Sequence, residues 1–493
     1  MKHLAQKLSI SRRKPENLEK QEHSASQQAT YIKRREFVQL LFDLKAKELA
    51  DFPGIESYCD YLEYDAFQAL KGPKFAQIWP LISRTDPKTA ADCWDWSLAV
   101  LQAVVQAEES EQSDQSDQEE KSEQPETSLH DVLEQLGDQT RDVKQSLKHD
   151  PDKGYSYIAI FTVLCWSSLV MRPKLIFTDN ARPTPTCLPP RGFKSRTGSR
   201  ETLWRATDKC LRPIVTIFGM FKLHYWGVEP DDRTKREMRE ADSLYAAGLS
   251  MYSLRYFGHV TIQWVDTISE HLRFNPANRR LSLFRFPTFC ALFAIHGNSI
   301  CSPIRRIIEE FDPLPPEDRE LCSVSLAQEV ILSYRLLFGQ DGKSRKVARE
   351  EISKLKKSCS EHSQSIDTML PDLCERKYEH GRVWWQSYDK VLHGYPGEIW
   401  PVTCQTMEGR LQESDVYSAQ DDFPRLGRRL LRLQQFNARQ RPSKLTDLWR
   451  DRRNPLQWYT FWAVVLVGGF ANIMAVLQLG VAIVEMQASL TSN

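Results

Sequence analysis

No charged residue interrupts the chain from Leu456 to Val484. A helix of that length rises roughly 43 Å at 1.5 Å per residue, more than the ~30 Å hydrocarbon core of a bilayer. Trp458, Tyr459 and Trp462 stand at its start, where amphipathic rings favour the headgroup level, and Arg450, Arg452 and Arg453 stand just before it. The positive-inside rule puts that end in the cytosol. Few residues follow Val484. The layout predicts a tail-anchored, single-pass protein of an intracellular membrane, with a transmembrane helix over 456–484 and the bulk of the chain cytosolic. The competing reading is a buried core or interfacial helix, to which Asn472 and Gln478 lend weight. Gly468, Ala471, Asn472, Ala475 and Ala482 fall near one helical face, and small residues let two helix backbones approach closely. A homodimer through this helix is therefore expected as a partner arrangement beside the lipid bilayer itself.

Upstream, 421–453 reads as a basic amphipathic juxtamembrane segment. Arg425, Arg428, Arg429 and Arg432 crowd one side, and Leu426, Leu430, Leu433 and Phe436 form an apolar stripe. Beside a membrane such a segment can lie on anionic lipid, at about 1 kcal/mol per basic residue. The alternative is packing on the folded body.

The rest of the chain divides by composition. Residues 1–30 are polar without apolar periodicity and read as a disordered arm. A helical region is expected over 31–106, with Phe37, Leu40, Leu41, Leu44 and Glu48 at three-to-four spacing, further helices near Ile55–Leu70 and Trp94–Val105, and a break at Gly72-Pro73. Residues 107–128, acidic and Ser/Gln-rich, bury too little apolar surface to offset their ordering entropy and read as a disordered linker; interaction or phosphorylation is a second use. A helical body is expected over 129–420. It opens with a short helix bearing Leu129, Leu133, Leu136, Val143 and Leu147 on one side. Tyr155–Met171 is apolar but short for a span, carries Ser156, Thr162, Ser167 and Ser168, and reads as a buried core helix. Helix is also expected over Asp231–Phe257 and on through Ile262, Val265, Ile268 and Leu272. A β-hairpin follows near 272–286, its runs Leu272–Phe274 and Leu281–Phe286 joined by Asn275-Pro276-Ala277-Asn278, with Pro287 opening another helix. The fold class expected is mainly α: a helical cytosolic body with a small hairpin and one C-terminal transmembrane helix.

The formal net charge of +1 gives no global field toward nucleic acid or anionic membrane. The N-terminus lacks the apolar run of a secretory signal, the 11 cysteines are irregularly spaced, and no Asn-X-Ser/Thr pattern occurs. These features suggest a reducing setting in which the cysteines are small core residues.

No catalytic constellation stands out. Gly342-Lys343-Ser344 is similar to the end of a phosphate-binding loop, but Leu337 stands where that loop needs its first glycine, and Val330–Phe338 looks helical where a strand is required. Cys359, His362, Cys374 and His380 lack the short paired spacings of a zinc site. Single histidines such as His224, His259, His271 and His296 read as packed or surface residues. Arg273, Arg279, Arg280 and Arg285 around the hairpin could meet phosphates, yet Phe284, Phe286 and Phe289 read as core, so nucleic acid is an unlikely partner. Residues 345–357 mix both charges as a solvated helix face does. Trp384, Trp385 and Trp400 read as packing residues, with a structured loop over 394–401. No cofactor, metal or catalytic residue is indicated.

Trp264–Cys290 (WVDTISEHLRFNPANRRLSLFRFPTFC) and Leu445–Gly469 (LTDLWRDRRNPLQWYTFWAVVLVGG) resemble stretches shared by a large group of uncharacterised proteins of filamentous fungi. The resemblance covers roughly Gly154 to the C-terminus. It implies a membrane segment near the C-terminus and a fungal origin, and no activity. The function expected is a membrane-tethered interaction or regulatory protein with unknown protein partners. The rival classes are a membrane-anchored enzyme whose site is assembled from distant residues and a nucleic-acid-binding module.

Overall fold

The computed structural model describes residues 13–67, 90–115, 132–136, 154–170, 175–176, 184–185, 242–297, 305, 308, 324–377, 390–440 and 455–491. These are mostly helical, with a few short strands. Helix α1 runs Arg13–Phe42, α2 Ala46–Leu49, and α3 Ile55–Tyr61, continued by a wider π turn over Leu62–Ala66; α4 runs Ala90–Gln115. The polar arm expected over 1–30 is thus helical from Arg13 onward. Its Glu, Gln, Lys and Ala residues are good helix formers without an apolar stripe. For the same reason α4 reaches into the acidic stretch expected as linker from 107. Of the residues expected at three-to-four spacing, Phe37, Leu41 and Leu44 are buried and Leu40 and Glu48 are half-buried; Val38 and Phe42 are buried as well, and the Phe37 and Phe67 rings meet Trp94 edge-on at 5.0 and 4.9 Å. Arg34 ties α1 to α3 through Asp60 and Glu63, and Trp94 Nε1 donates to the same Glu63 at 2.6 Å. The expected break at Gly72-Pro73 lies outside the described residues.

Helix α5, Gly154–Ser167, sits inside the body, with Ile160, Leu164 and Cys165 fully buried. Its polar groups are satisfied locally or by neighbours: Ser168 Oγ donates to Cys165 O at 2.8 Å, and Tyr58 OH donates to Ser167 O at 2.8 Å. Of the run expected as a buried core helix over Tyr155–Met171, residues 160 and 162–170 are buried, and Met171 lies outside the described residues. Strands β1 (Leu175–Ile176) and β2 (Thr184–Pro185) pair antiparallel.

The region after Asp242 departs from expectation. Instead of one long helix it forms strand β3 (Ser243–Tyr245), α6 (Ala246–Leu249) and α7 (Met251–Tyr256), broken at Ser250, whose hydroxyl accepts from Ser253 N to cap α7. Leu244, Met251 and Leu254 are buried, but Ala247 is exposed. Helical spacing also misleads at Ile262 and Val265. Thr261–Val265 is strand β4, in which β-branched and aromatic residues fit a pleated surface. The expected hairpin is present as β5 (Phe274–Asn275) and β6 (Arg280–Phe284), and β4 lies parallel to β6 on its other side, giving the order β4-β6-β5.

Pro287 opens α8, Pro287–His296, whose first turn is held by a distant carboxylate: Asp367 accepts from Thr288 N at 2.8 Å and Thr288 Oγ1 at 2.6 Å. Helix α9, Leu326–Tyr334, starts at a reciprocal cap between Ser325 and Gln328 and runs into a π turn over Arg335–Gly339. Gly342-Lys343-Ser344 is the first turn of α10, Gly342–Glu361, where Asp341 accepts from Lys343 N and Ser344 N. It is a capped helix start, not a phosphate loop. Helix α11 is Met369–Glu375; strands β7 (Val391–Leu392) and β8 (Leu411–Gln412) pair, and β9 (Val416–Ser418) returns to β3. Helix α12 is Gly427–Arg439 and α13 is Pro455–Thr491.

The division expected at 420 is not a boundary in the fold. Asn437 Nδ2 donates to Gly248 O at 2.7 Å, Gln434 bonds the Tyr245 and Ser243 backbones, and the Phe436 ring lies 4.7 Å from Phe274. The basic segment is integral to the body at least to Gln440.

Candidate functional site

Two features stand apart from the packed interior. The first is α13. Among the described residues, its segment Trp462–Val484 is the one helix long and apolar enough to cross a membrane, and none of it is buried against the body. Tyr459, Val464, Leu466, Phe470, Asn472 and Ala475 are exposed, and a side chain built on Gly468 would meet nothing within 4 Å. Trp458 lies on the same helix and Trp462 is half-buried. Arg450, Arg452 and Arg453 lie outside the described residues. About a dozen Val, Leu, Ile and Phe side chains are left uncovered on this segment. At roughly 1.5–3 kcal/mol per buried side chain, their exposure to water forfeits on the order of 20 kcal/mol.

The second feature is a groove of about 460 Å³ between β4, the C-terminal half of α10 and the turn at Tyr64. Four of its charged groups pair among themselves, and Asp65 also lines it. The Arg285 guanidinium donates to Asp266, to Gln364 Oε1 at 3.1 Å and to Cys359 Sγ at 3.4 Å, and lies over the Phe286 ring at 4.7 Å. Lys354 Nζ meets Glu351 at 2.7 Å. His362 Nδ1 bonds Ser358 O at 2.9 Å, and its ring meets Tyr64 edge-on at 5.2 Å. Trp264 Nε1 is different. It is buried in the groove wall and has no acceptor.

The arginines that resembled a lipid-binding stripe separate in the structure. Arg425 and Arg429 are buried, whereas Arg428 and Arg432 face solvent. Glu329, at zero exposure on α9, receives Arg425 N at 3.0 Å, Leu426 N at 2.7 Å and the Arg425 guanidinium at 3.3 Å, so it caps the start of α12. Burial pushes the Glu329 carboxyl up to about 8 against these donors. Arg429 reaches past α12 to donate to His271 O and, at 3.0 Å, to Ser269 O; burial lowers it to about 9. His271 Nδ1 accepts from Phe284 N at 3.1 Å, which leaves the proton on Nε2 to bond Ser333 Oγ at 2.8 Å. Burial and the Arg429 charge hold this imidazole down to about 3, so it is neutral and structural. For Arg425 and Arg429 the alternative of packing on the folded body holds, while Arg428 and Arg432 stay on the surface.

A second buried pair joins Arg335 and Glu413, both with side chains at zero exposure and 2.6 Å apart. Arg335 also donates to Leu373 O at 2.6 Å and Arg376 O at 2.8 Å. Gly339 allows this, because a Cβ there would stand 2.3 Å from the guanidinium carbon. Sequence reading missed this pair and Glu329, since a charged residue in a helical run looks the same whether it faces water or a partner far away in sequence.

The remaining candidates are not brought together. Cys359 and Cys374 are buried free thiols, His362 is exposed and His380 lies outside the described residues. Among the described residues no cluster of three or more His, Cys, Asp or Glu could hold a metal ion. Of the hairpin arginines, Arg279 and Arg280 are exposed, while Arg273 bonds Glu270 and Arg285 bonds Asp266. Trp400 is buried against Tyr395, and Trp384 and Trp385 lie outside the described residues. Compared with protein-family models, curated proteins and solved structures, the chain matches none.

Proposed function

We propose that this protein is a membrane-tethered interaction or regulatory protein, whose helical body is held at a bilayer by α13. The observation that carries the reading is that Trp462–Val484, 23 residues long, is apolar and that none of it is buried in the body. Such a helix rises about 35 Å, enough to cross the hydrocarbon core. Trp458, Tyr459 and Trp462 suit the headgroup level, and Arg450, Arg452 and Arg453 favour a cytosolic body. The resemblance to filamentous-fungal chains fits this architecture and adds no activity. Open sides at Gly468, Asn472 and Ala475 suit a second copy of the same helix.

The experiment is carbonate extraction of full-length chain and of a chain ending at Arg441, which retains α12. The full chain should stay with membranes and the truncated chain should become soluble and folded. A folded truncated chain that still pellets overturns the anchor.

A further inference from the structure

Helix α12 carries four arginines and no acid. Arg429 is turned into the body, whereas Arg428, Arg432 and Arg439 are exposed. The exposed three are four and seven residues apart, so they fall on one helical face, with Gln435 between them. Along that face the cations spread over roughly 16 Å, at 1.5 Å per residue. The arrangement is unfavourable for the helix by itself. Arg428 stands in the first turn, at the positive end of the macrodipole, and one turn before a like charge at Arg432. Burial and the Arg428 charge both lower Arg432 from its ordinary value. Departures of this kind from local preference are expected at functional positions.

The charges around α12 leave the face positive. Strand β3 and helix α6, which pack along it, carry no charged residue. Glu270, on the Arg429 side, is met by Arg273 at 3.5 Å. Asp242 and Asp421 are held at the turn that precedes α12, where both accept from Ser418 Oγ, at 3.0 and 2.9 Å. Beyond Gln440 the positive excess continues in the sequence, with Arg441, Lys444, Arg450, Arg452 and Arg453 against Asp447 and Asp451. That connection reaches at most about 50 Å before α13 begins at Pro455. A row of guanidinium groups on a convex helix suits a broad anionic surface, and the tether brings one within reach. The apolar stripe that would let such a helix sink among acyl chains is already used, since Leu426, Leu430 and Leu433 are buried in the body. What α12 has left for a membrane is charge.

We infer that the outer face of α12, formed by Arg428, Arg432 and Arg439, rests on the anionic lipid headgroups of the membrane that holds α13, without inserting. The inference rests on the tethered reading, under which the body lies at the cytosolic leaflet, the one that carries anionic lipid.

The test places the full chain in nanodiscs of phosphatidylcholine, with and without phosphatidylserine, with a photo-crosslinker in place of Gln435. Capture of lipid should be about fivefold or more greater in the discs that contain phosphatidylserine, and high salt should abolish the difference. Each basic residue near an anionic surface contributes about fivefold, so Arg428→Gln, Arg432→Gln and Arg439→Gln together should bring capture down to the phosphatidylcholine level. Lysine at the same three positions keeps the charge and should keep the capture. Lipid composition and salt are varied on the chain with its arginines intact, so a variant that misfolds does not remove the test. Equal capture with and without phosphatidylserine, capture that ignores salt, or capture unchanged by the three glutamines overturns the surface and leaves the tether standing. Loss of capture with lysine overturns the headgroup contact in favour of an acceptor that needs guanidinium geometry. A chain that enters discs of neither kind overturns the tether, and the surface with it.

Discussion

The neutral His271 gives a pH dependence whose size can be worked out. Its imidazole falls to about 3 in the fold from an ordinary value of 6.5, because it is fully buried and faces the Arg429 cation. The folded value lies below the unfolded one, so the stability it contributes is complete above pH 6.5 and is lost as pH falls toward 3. At pH 5 the unfolded chain binds this proton and the fold does not. The loss is about 1.36 kcal/mol per unit over the 1.5 units below 6.5, roughly 2 kcal/mol. Asp367 and Glu329 work the other way. Burial raises them to about 7 and about 8, so their contribution is present at low pH and is lost as pH rises from 3.8 toward 7 for Asp367 and from 4.5 toward 8 for Glu329. A raw stability curve therefore mixes opposing terms, and the informative quantity is a difference. His271→Gln cannot titrate. Urea unfolding of both full-length chains in detergent micelles, followed by tryptophan emission, should give a stability gap that shrinks by about 2 kcal/mol between pH 7 and pH 5. A gap that stays constant over that interval refutes the assignment of a neutral, proton-excluding His271.

Three further outcomes follow from the same structure. Arginine at both Ile473 and Leu477 should convert the chain from carbonate-resistant to extractable. Two central arginines cost roughly 5–7 kcal/mol, against roughly 4–7 kcal/mol gained by about a dozen Val, Leu, Ile and Phe side chains. Arg335→Met should destabilise the body by about 3–5 kcal/mol in urea unfolding, because Glu413 is left buried without its cation, and adding Glu413→Leu should recover part of that loss. Arg428→Gln with Arg432→Gln should change stability by less than about 0.5 kcal/mol, whereas Arg425→Gln with Arg429→Gln should cost several times more; equal effects would mean that α12 is not seated as described.

Much of this architecture could be read from apolar spacing, and the places where it could not share a cause. Phe37, Leu41 and Trp94 were legible because a stripe at three-to-four spacing has one efficient use, burial against another helix. The hairpin was legible because Asn275-Pro276-Ala277-Asn278 admits little besides a turn. Ile262, Val265 and Ile268 fit helical spacing equally well, yet β4 forms there because β6 supplies a partner, and pairing of that kind depends on tertiary placement. The arginines of 421–453 were left open between lipid and the folded body for a related reason. Periodicity shows that Arg425 and Arg429 share a side, but whether that side meets lipid, water or Glu329 and the carbonyl of His271 is decided about a hundred residues or more away along the chain. The candidate groove was invisible for the same reason, since it joins Tyr64, β4 and α10.

Seating α12 in the body also changes what a tether through α13 would do. With the juxtamembrane stretch free from 421, the body could wander far from the bilayer. With α12 fixed as far as Gln440 and α13 beginning at Pro455, the connecting chain can extend at most about 50 Å, at ~3.3–3.6 Å per residue. The body is then confined to a thin layer at the membrane surface. Partners in the same membrane would meet it at an effective concentration set by that short reach. A fixed α12 and a short connection would therefore favour partners that share the membrane over partners free in solution.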